Sequence, residues 1–291
     1  MPRLPVRKTY KLLIAGQFVR TESGRAYRAA SPAGEFLAHV PLGSRKDVRD
    51  AVGAARGAFA GWSGRTAYNR GQILYRAAEM LEERQAEFTD ALVRSIGVSR
   101  ASASREVAAA VDRLVHFAGW ADKIAAVLGS VNPVAAPYFD FSVPEPTGVV
   151  GIVSPESPAL LPLVTRLAAV VVSGNTSVAV VSERTPIPAL LLGEVIGTSD
   201  VPSGVVNILT GRKSELVPAL ASHRDVDALD DGSGDAALSR RIEEEAADRV
   251  RRIARPKASS PADWFSARVC EGIAAVEPFV EIKTTWHPAG A

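Results

Sequence analysis

The stretch from Gly148 to Gly211 most constrains what this chain can fold into. It reads GVVGIV, SPESPALLPLVTRLAAVVVSG, NTSVAVV, SERTPIPALLLGEVIG, TSDVPSG and VVNILTG in succession, so three short β-branched runs are separated by two apolar runs of about a dozen residues. Val/Ile runs without polar alternation suit strands buried on both faces. Such strands alternating with helices predict parallel βαβ units with right-handed crossovers. The expected fold class is α/β, a Rossmann-like parallel sheet flanked by helices, which is an architecture suited to nucleotide binding.

A length of 291 residues, 47% of them hydrophobic, is enough for one large or two modest domains. The longest apolar region, Ala159 to Val181, is broken by Arg166, Ser173, Gly174 and Asn175. It therefore lacks the roughly 20 uninterrupted apolar residues of a membrane span. The start, MPRLPVRKTYKLL, has basic residues but no apolar core of a signal peptide, and a cytoplasmic location is expected. A single cysteine, Cys270, excludes an internal disulfide framework, and four scattered histidines lack metal-ligand spacing. Net charge is only +2, and the RVRRIAR run from Arg249 to Arg255 reads as the solvated end of a helix, so no nucleic-acid partner is expected.

Along the chain, YKLLIAGQFV predicts a strand pair around Ala15-Gly16. A first helix is predicted from Ser44, opened by an S-R-K-D capping box, to Trp62. A second spans 67–96, with Leu74, Leu81 and Phe88 at heptad spacing, and a third spans 102–128 with Gly119-Trp120 as its weak point. The texture then changes, because SVNPVAAPYFDFSVPEPTG holds four prolines around a short alternating strand, Tyr138 to Val143, of edge-ribbon character. After Gly211 come a helix over 213–221, a fourth strand over 226–229 and a charged helix over 236–253. A short helix over 264–275 leads to a last strand, Phe279 to Trp286.

The run GVVGI, SGNT, SERTP and VPSGVVNILTG resembles, in order and nearly position for position, the cofactor domain of the aldehyde dehydrogenase superfamily. The resemblance implies that Tyr138 to Val143 and Phe279 to Trp286 are strands of a projecting oligomerisation arm. It also divides the chain into residues 1–134, the N-terminal hairpin and helical part of the cofactor-type domain; 135–147, an arm strand; 148–255, the Rossmann-like βαβ part; 256–276, a linker and short helix; and 277–291, the second arm strand. Where the family carries a catalytic domain, on the order of 200 residues, the linker alone remains. KTTWHP and YKLLIAGQFVRTESGR are particularly similar to the degenerate second module of two-module family members.

Family chemistry needs a reactive thiolate, a water-activating carboxylate and an oxyanion-stabilising amide. No E-L-G-G-K type motif follows the fourth strand, and Glu243, Glu244 and Glu245 read as a solvated helix face. Cys270, in RVCEGI, reads as a packed thiol although Arg268 is near. The family's P-W-N segment is Pro155-Glu156-Ser157 here, which puts Ser157 at the amide position. The resemblance carries cofactor contacts to Pro155, Ser157, Glu183, Gly232 and Ser233 in degenerate form. Val180 stands where the family has a ribose-binding lysine, a loss of about 1.5–3 kcal/mol. Asp230 and Asp231, placed in the loop before Gly232-Ser233-Gly234, are expected to oppose an anion at the following helix start. No cofactor, or weak NAD(P) with a dissociation constant of about 1 mM or more, is the expectation.

These readings converge on a non-catalytic aldehyde dehydrogenase-like subunit, a pseudoenzyme with no catalytic residue, no metal and no membrane contact. Its expected partner is a full-length aldehyde dehydrogenase subunit, reached through the two arm strands in a hetero-oligomer. The alternative is an NAD(P)-dependent oxidoreductase of the family, or a cofactor-binding component of one, acting only in a complex.

Overall fold

The computed structural model describes residues 8–249 and 251–289. Residues 1–7, on which the leader-segment expectation partly rests, and Val250, inside the predicted charged helix, lie outside the described residues. Ala15 and Gly16 have φ of 53° and 72°, the mirror-type turn that matches strand twist, and join β1 (Leu12–Ile14) to β2 (Gln17–Val19). β3 (Ala26–Ala30) and β4 (Phe36–Pro41) make a separate ribbon. α1 (Arg45–Ser63) begins in the expected capping box: the Asp47 carboxylate accepts from the Ser44 N–H at 2.8 Å, and the Asp47 N–H donates back to Ser44 Oγ at 3.4 Å.

The predicted second helix is two helices, α2 (Ala67–Glu83) and α3 (Gln85–Ile96), parted at Arg84. Leu74, Leu81 and Phe88 are all buried, so the apolar spacing runs across the break and hides it from periodicity. The third likewise ends early, as α4 (Arg100–Ala118) with Gly119 as its cap, before a short α5 (Ile124–Leu128). β5 (Ser130–Asn132) and β6 (Tyr138–Pro146) follow, then β7 (Val149–Val153), α6 (Leu161–Val172), β8 (Thr176–Val180), α7 (Ile187–Thr198), β9 (Val206–Leu209), α8 (Lys213–Ala221) and β10 (Ala228–Asp231).

The predicted charged helix stops as α9 (Ala236–Ala246), and a fifth parallel strand, β11 (Arg252–Ala254), takes the place of its expected basic end. The arginines there are not a solvated helix terminus. Arg252 donates to the carbonyls of Pro278 and Val280, and Arg251 to those of Ala221 and His223. The short helix predicted after Trp264 shrinks to the single turn α10 (Ala267–Cys270) between two 3₁₀ turns, because Gly272, with φ of 87°, interrupts it. β12 (Val280–Pro288) completes the arm.

The described residues form a seven-stranded sheet in the order β11-β10-β7-β8-β9-β1-β2, parallel from β11 to β9 and antiparallel where β1 and β2 join. Every residue of β7, β8 and β9 is buried, including the polar Thr176, Ser177 and Asn207, as strands covered on both faces require. One face packs under α1, α8 and α9, and the other under α2, α3, α4, α6 and α7. The arm is a second sheet, β12-β6-β5, in which β12 pairs with β6 over all nine residues, from Val280↔Pro146 to Pro288↔Tyr138.

The connection from β11 to the arm is closed by packing. Phe279 is fully buried, its carbonyl accepts from Asn175 Nδ2 at 2.7 Å, and its ring lies 5.3 Å under the Arg166 guanidinium. Arg166, on α6, in turn grips both carboxylate oxygens of the fully buried Asp230, at 2.5 and 3.0 Å. No helix among the described residues is long and apolar enough to cross a membrane.

Candidate functional site

The chain runs from β7 outward through β8 and β9, then returns to place β10 on the other side of β7. Where strand order reverses in this way, the loops after the parallel strands part and leave a crevice. Four such loops gather here: Ser154 to Ser157 after β7, Ser182 to Thr185 after β8, the turn into α8 after β9, and Gly232 to Asp235 after β10. They enclose a cavity of about 590 Å³ lined by Glu156, Glu183, Arg184, Lys213, Ser233 and Arg241. An adjoining one of about 350 Å³ is lined by Pro155, Ser157, Asp231, Gly232, Ser233 and Arg255.

The larger cavity is dominated by Glu156. Its carboxylate accepts from Ser182 Oγ at 2.7 Å, from the backbone N–H groups of Glu183 at 3.4 Å and Arg184 at 3.1 Å, and from the Lys213 ammonium. Burial pushes the Glu156 carboxyl up, but Lys213 and these hydrogen bonds outweigh it and hold the group below its ordinary range. Lys213 is 7% exposed, and its ammonium also donates to the Ser154 carbonyl at 2.6 Å. The charge is thus brought under the sheet end and paired there, as a buried ammonium requires. Glu183 turns the other way, accepting from the Lys213 backbone N–H at the start of α8 and from Arg212 at 3.4 Å. Asp235 caps α9 through the N–H groups of Ala237 and Leu238.

The five residues singled out as degenerate cofactor contacts all lie at this crevice, with Glu183 in the larger cavity, Pro155, Ser157 and Gly232 in the smaller, and Ser233 in both. Val180 is the fully buried last residue of β8. Asp230 and Asp231 require correction, since they belong to β10 rather than to a loop. Asp230 is neutralised by Arg166, and Asp231 accepts from Ser233 Oγ at 2.6 Å and from Ser239 Oγ, so neither presents a free carboxylate to an incoming anion.

Cys270 is buried, its thiol donates to the Asp263 carbonyl at 3.4 Å, and burial pushes the thiol up, away from the nucleophilic thiolate. Glu243 pairs with Arg255, and Glu245 pairs with Arg241 at 2.7 Å, as on a solvated face. The start of α6 is taken by buried Glu106, which accepts from the N–H groups of Leu160 at 2.8 Å and Leu161 at 3.2 Å. Sequence reasoning missed Glu106, Glu156 and Lys213. The signal available was a glutamate in the P-x-S turn facing a lysine at a helix start, two charges with a reason to pair.

The model of the aldehyde dehydrogenase family matches residues 18–255. The chain belongs to the aldehyde dehydrogenase family. It is 36% identical over 77% of its length to cytosolic 10-formyltetrahydrofolate dehydrogenase of Xenopus tropicalis, and 34% identical over 78% to aldehyde dehydrogenase family 2 member B4 of Arabidopsis thaliana. It covers 25% and 42% of those two proteins. Among solved structures, HpcC from Thermus thermophilus superposes with a TM-score of 0.82 at 29% identity, covering 86% of this chain and 48% of that one. The NAD+ complex of an aldehyde dehydrogenase from Bacillus cereus gives 0.80 at 28%, covering 86% and 51%. The chain thus spans about half the length of these structures, and the fold it shares with them is the α/β cofactor-domain type.

Several groups that a dinucleotide would use in this crevice are engaged within the chain. The donors on the crevice wall, Ser182 Oγ, the Glu183 and Arg184 N–H groups and Lys213, are already spent on Glu156. Glu183, which would receive a ribose hydroxyl, is spent on α8.

Proposed function

We propose that the chain is a non-catalytic aldehyde dehydrogenase-like subunit, a pseudoenzyme that associates in the cytoplasm with a full-length aldehyde dehydrogenase and supports or regulates it. The observation that carries this reading is the arm. β12 is hydrogen-bonded on one side by β6, and its other edge is open among the described residues. Ile282 and Trp286 on β12, with Tyr138 and Phe139 on β6, are exposed. An open strand edge beside large apolar side chains is an aggregation hazard unless another sheet adds to it, and edge addition is a common recognition mode. The family resemblance implies that such an arm docks on a neighbour's catalytic domain, for which the 256–276 segment leaves no room in this chain. The crevice supports the reading as well, because Glu156, Glu183 and Asp235 are engaged within the chain and no thiol stands among its described lining residues.

The test is capture from the native cell followed by light scattering of the isolated complex. Deleting residues 277–291 would remove buried Phe279 and unfold the joint, so the surface variant Ile282→Glu/Trp286→Glu is the informative one. It should abolish co-purification of an aldehyde dehydrogenase while leaving the melting temperature unchanged. Retained association, or a wild-type chain that recovers no aldehyde dehydrogenase, refutes the proposal. NAD(P)H formation by the complex that requires an intact crevice in this chain favours instead a cofactor-binding component.

A further inference from the structure

The hydrogen bonds converging on Glu156 have the form of a binding site. Two successive backbone N–H groups, one hydroxyl and one ammonium point at a single pair of oxygens. Such a cradle of donors, with successive main-chain N–H groups and a charged side chain, is built for an anion. Lys213 is more than nine-tenths buried, so the site is part of the fold rather than a surface coincidence. The other carboxylates on the cavity wall do not compete for these donors, because Glu183 holds the start of α8 and Asp235 the start of α9. Ser154, whose carbonyl accepts from Lys213, has a buried hydroxyl without a hydrogen-bond partner, so the neighbourhood keeps spare donor capacity.

Glu156 is different in kind from its donors. Its side chain is 26% exposed, and it stands in a loop, so it can leave without disturbing β7. We propose that Glu156 is a tethered occupant of an anion site formed by Ser182, the Glu183 and Arg184 backbone N–H groups and Lys213, and that the site takes a phosphate group when the carboxylate is removed. A tethered carboxylate acts at an effective concentration far above that of free phosphate, so the wild-type site is closed to millimolar phosphate. This inference is independent of the subunit reading, since it concerns the crevice of the isolated chain and survives the loss of any partner.

Thermal unfolding and phosphorus NMR line broadening are measured against inorganic phosphate, with sodium chloride matching the ionic strength. Wild type is expected to show no phosphate dependence up to about 10 mM, as the effective-concentration argument requires. Glu156→Ala should bind phosphate about ten- to hundredfold more tightly than wild type, the worth of one or two charge-assisted hydrogen bonds, and its melting temperature should rise with phosphate. Adding Lys213→Met should remove that gain. Glu156→Gln, which keeps the shape and an acceptor oxygen, serves if the alanine variant fails to fold, and should bind phosphate more tightly than wild type but less than the alanine variant. The proposal is overturned if wild type binds phosphate as well as the variants, if folded Glu156→Ala or Glu156→Gln gains nothing, or if the gain persists without Lys213.

Discussion

Arg166 is the most exacting place to perturb this fold. Its guanidinium grips a fully buried carboxylate, Asp230, through two nitrogens and covers the ring of Phe279, so one side chain ties α6 to β10 and to the start of the arm. Arg166→Met keeps much of the volume and the ring contact but leaves Asp230 without its counter-charge. Removing one partner of a buried pair costs about 3–5 kcal/mol. Burial already pushes the Asp230 carboxyl up, so proton uptake by the unpaired carboxylate relieves part of the cost and places the loss at the lower end of that range. A loss of about 3 kcal/mol lowers the melting temperature of a chain of this size by roughly 5 °C. The double variant Arg166→Met/Asp230→Leu, which removes both charges, should recover most of this loss, because well-packed apolar pairs often replace buried ion pairs at no net cost. Urea unfolding of wild type, both single variants and the double variant closes the cycle, with an expected coupling of about 5 kcal/mol, the two single losses less the small loss of the double. Losses in the singles that simply add in the double would refute the reasoning, since the pair would then be two independent packing sites.

With NAD or NADP and an aldehyde, the isolated chain is expected to show no turnover, and Cys270 should resist thiol reagents until the protein unfolds. Turnover that disappears in Cys270→Ala would contradict this. Burial raises the Glu106 carboxyl above its ordinary value against the pull of the Leu160 and Leu161 N–H groups. Between the unfolded value of about 4.3 and the raised folded value, the native state holds the proton that the unfolded chain has lost. This contribution to stability is therefore full below the window and is lost as pH rises through it. Glu106→Gln should remove that slope from the urea midpoint as pH rises above about 4.3, and parallel curves for the two proteins would refute it.

The central βαβ units were legible because β7, β8 and β9 are buried on both faces, and that burial is written into the sequence as short runs dominated by Val and Ile. The capping box at Ser44 and the turn at Ala15-Gly16 were legible for a similar reason, since each depends on residues adjacent in the chain. The overruns came where one chemistry serves two structures. Heptad spacing continued across Arg84, and Arg252, which read as part of a helix end, is bound to carbonyls of the arm joint 26 and 28 positions away. At the crevice, the substitutions at Val180 and Ser157 could be read singly as losses. That Glu156 and Lys213, 57 positions apart, close the space on each other depends on how two loops meet, which a linear pattern does not carry.

The register of the arm bears on how the chain reaches its native state. Each residue of β12 pairs with a β6 residue 134 to 150 positions earlier. Contacts of such separation form late, because closing a long loop costs entropy before the contact returns anything. During synthesis at about 5–20 residues per second, β6, with β5 already available on one edge, waits on the order of ten seconds for β12 on the other. A holding chaperone, or a strand edge offered by another protein, has that interval in which to act. The time at which the arm meets its first neighbour is therefore set by translation as much as by affinity.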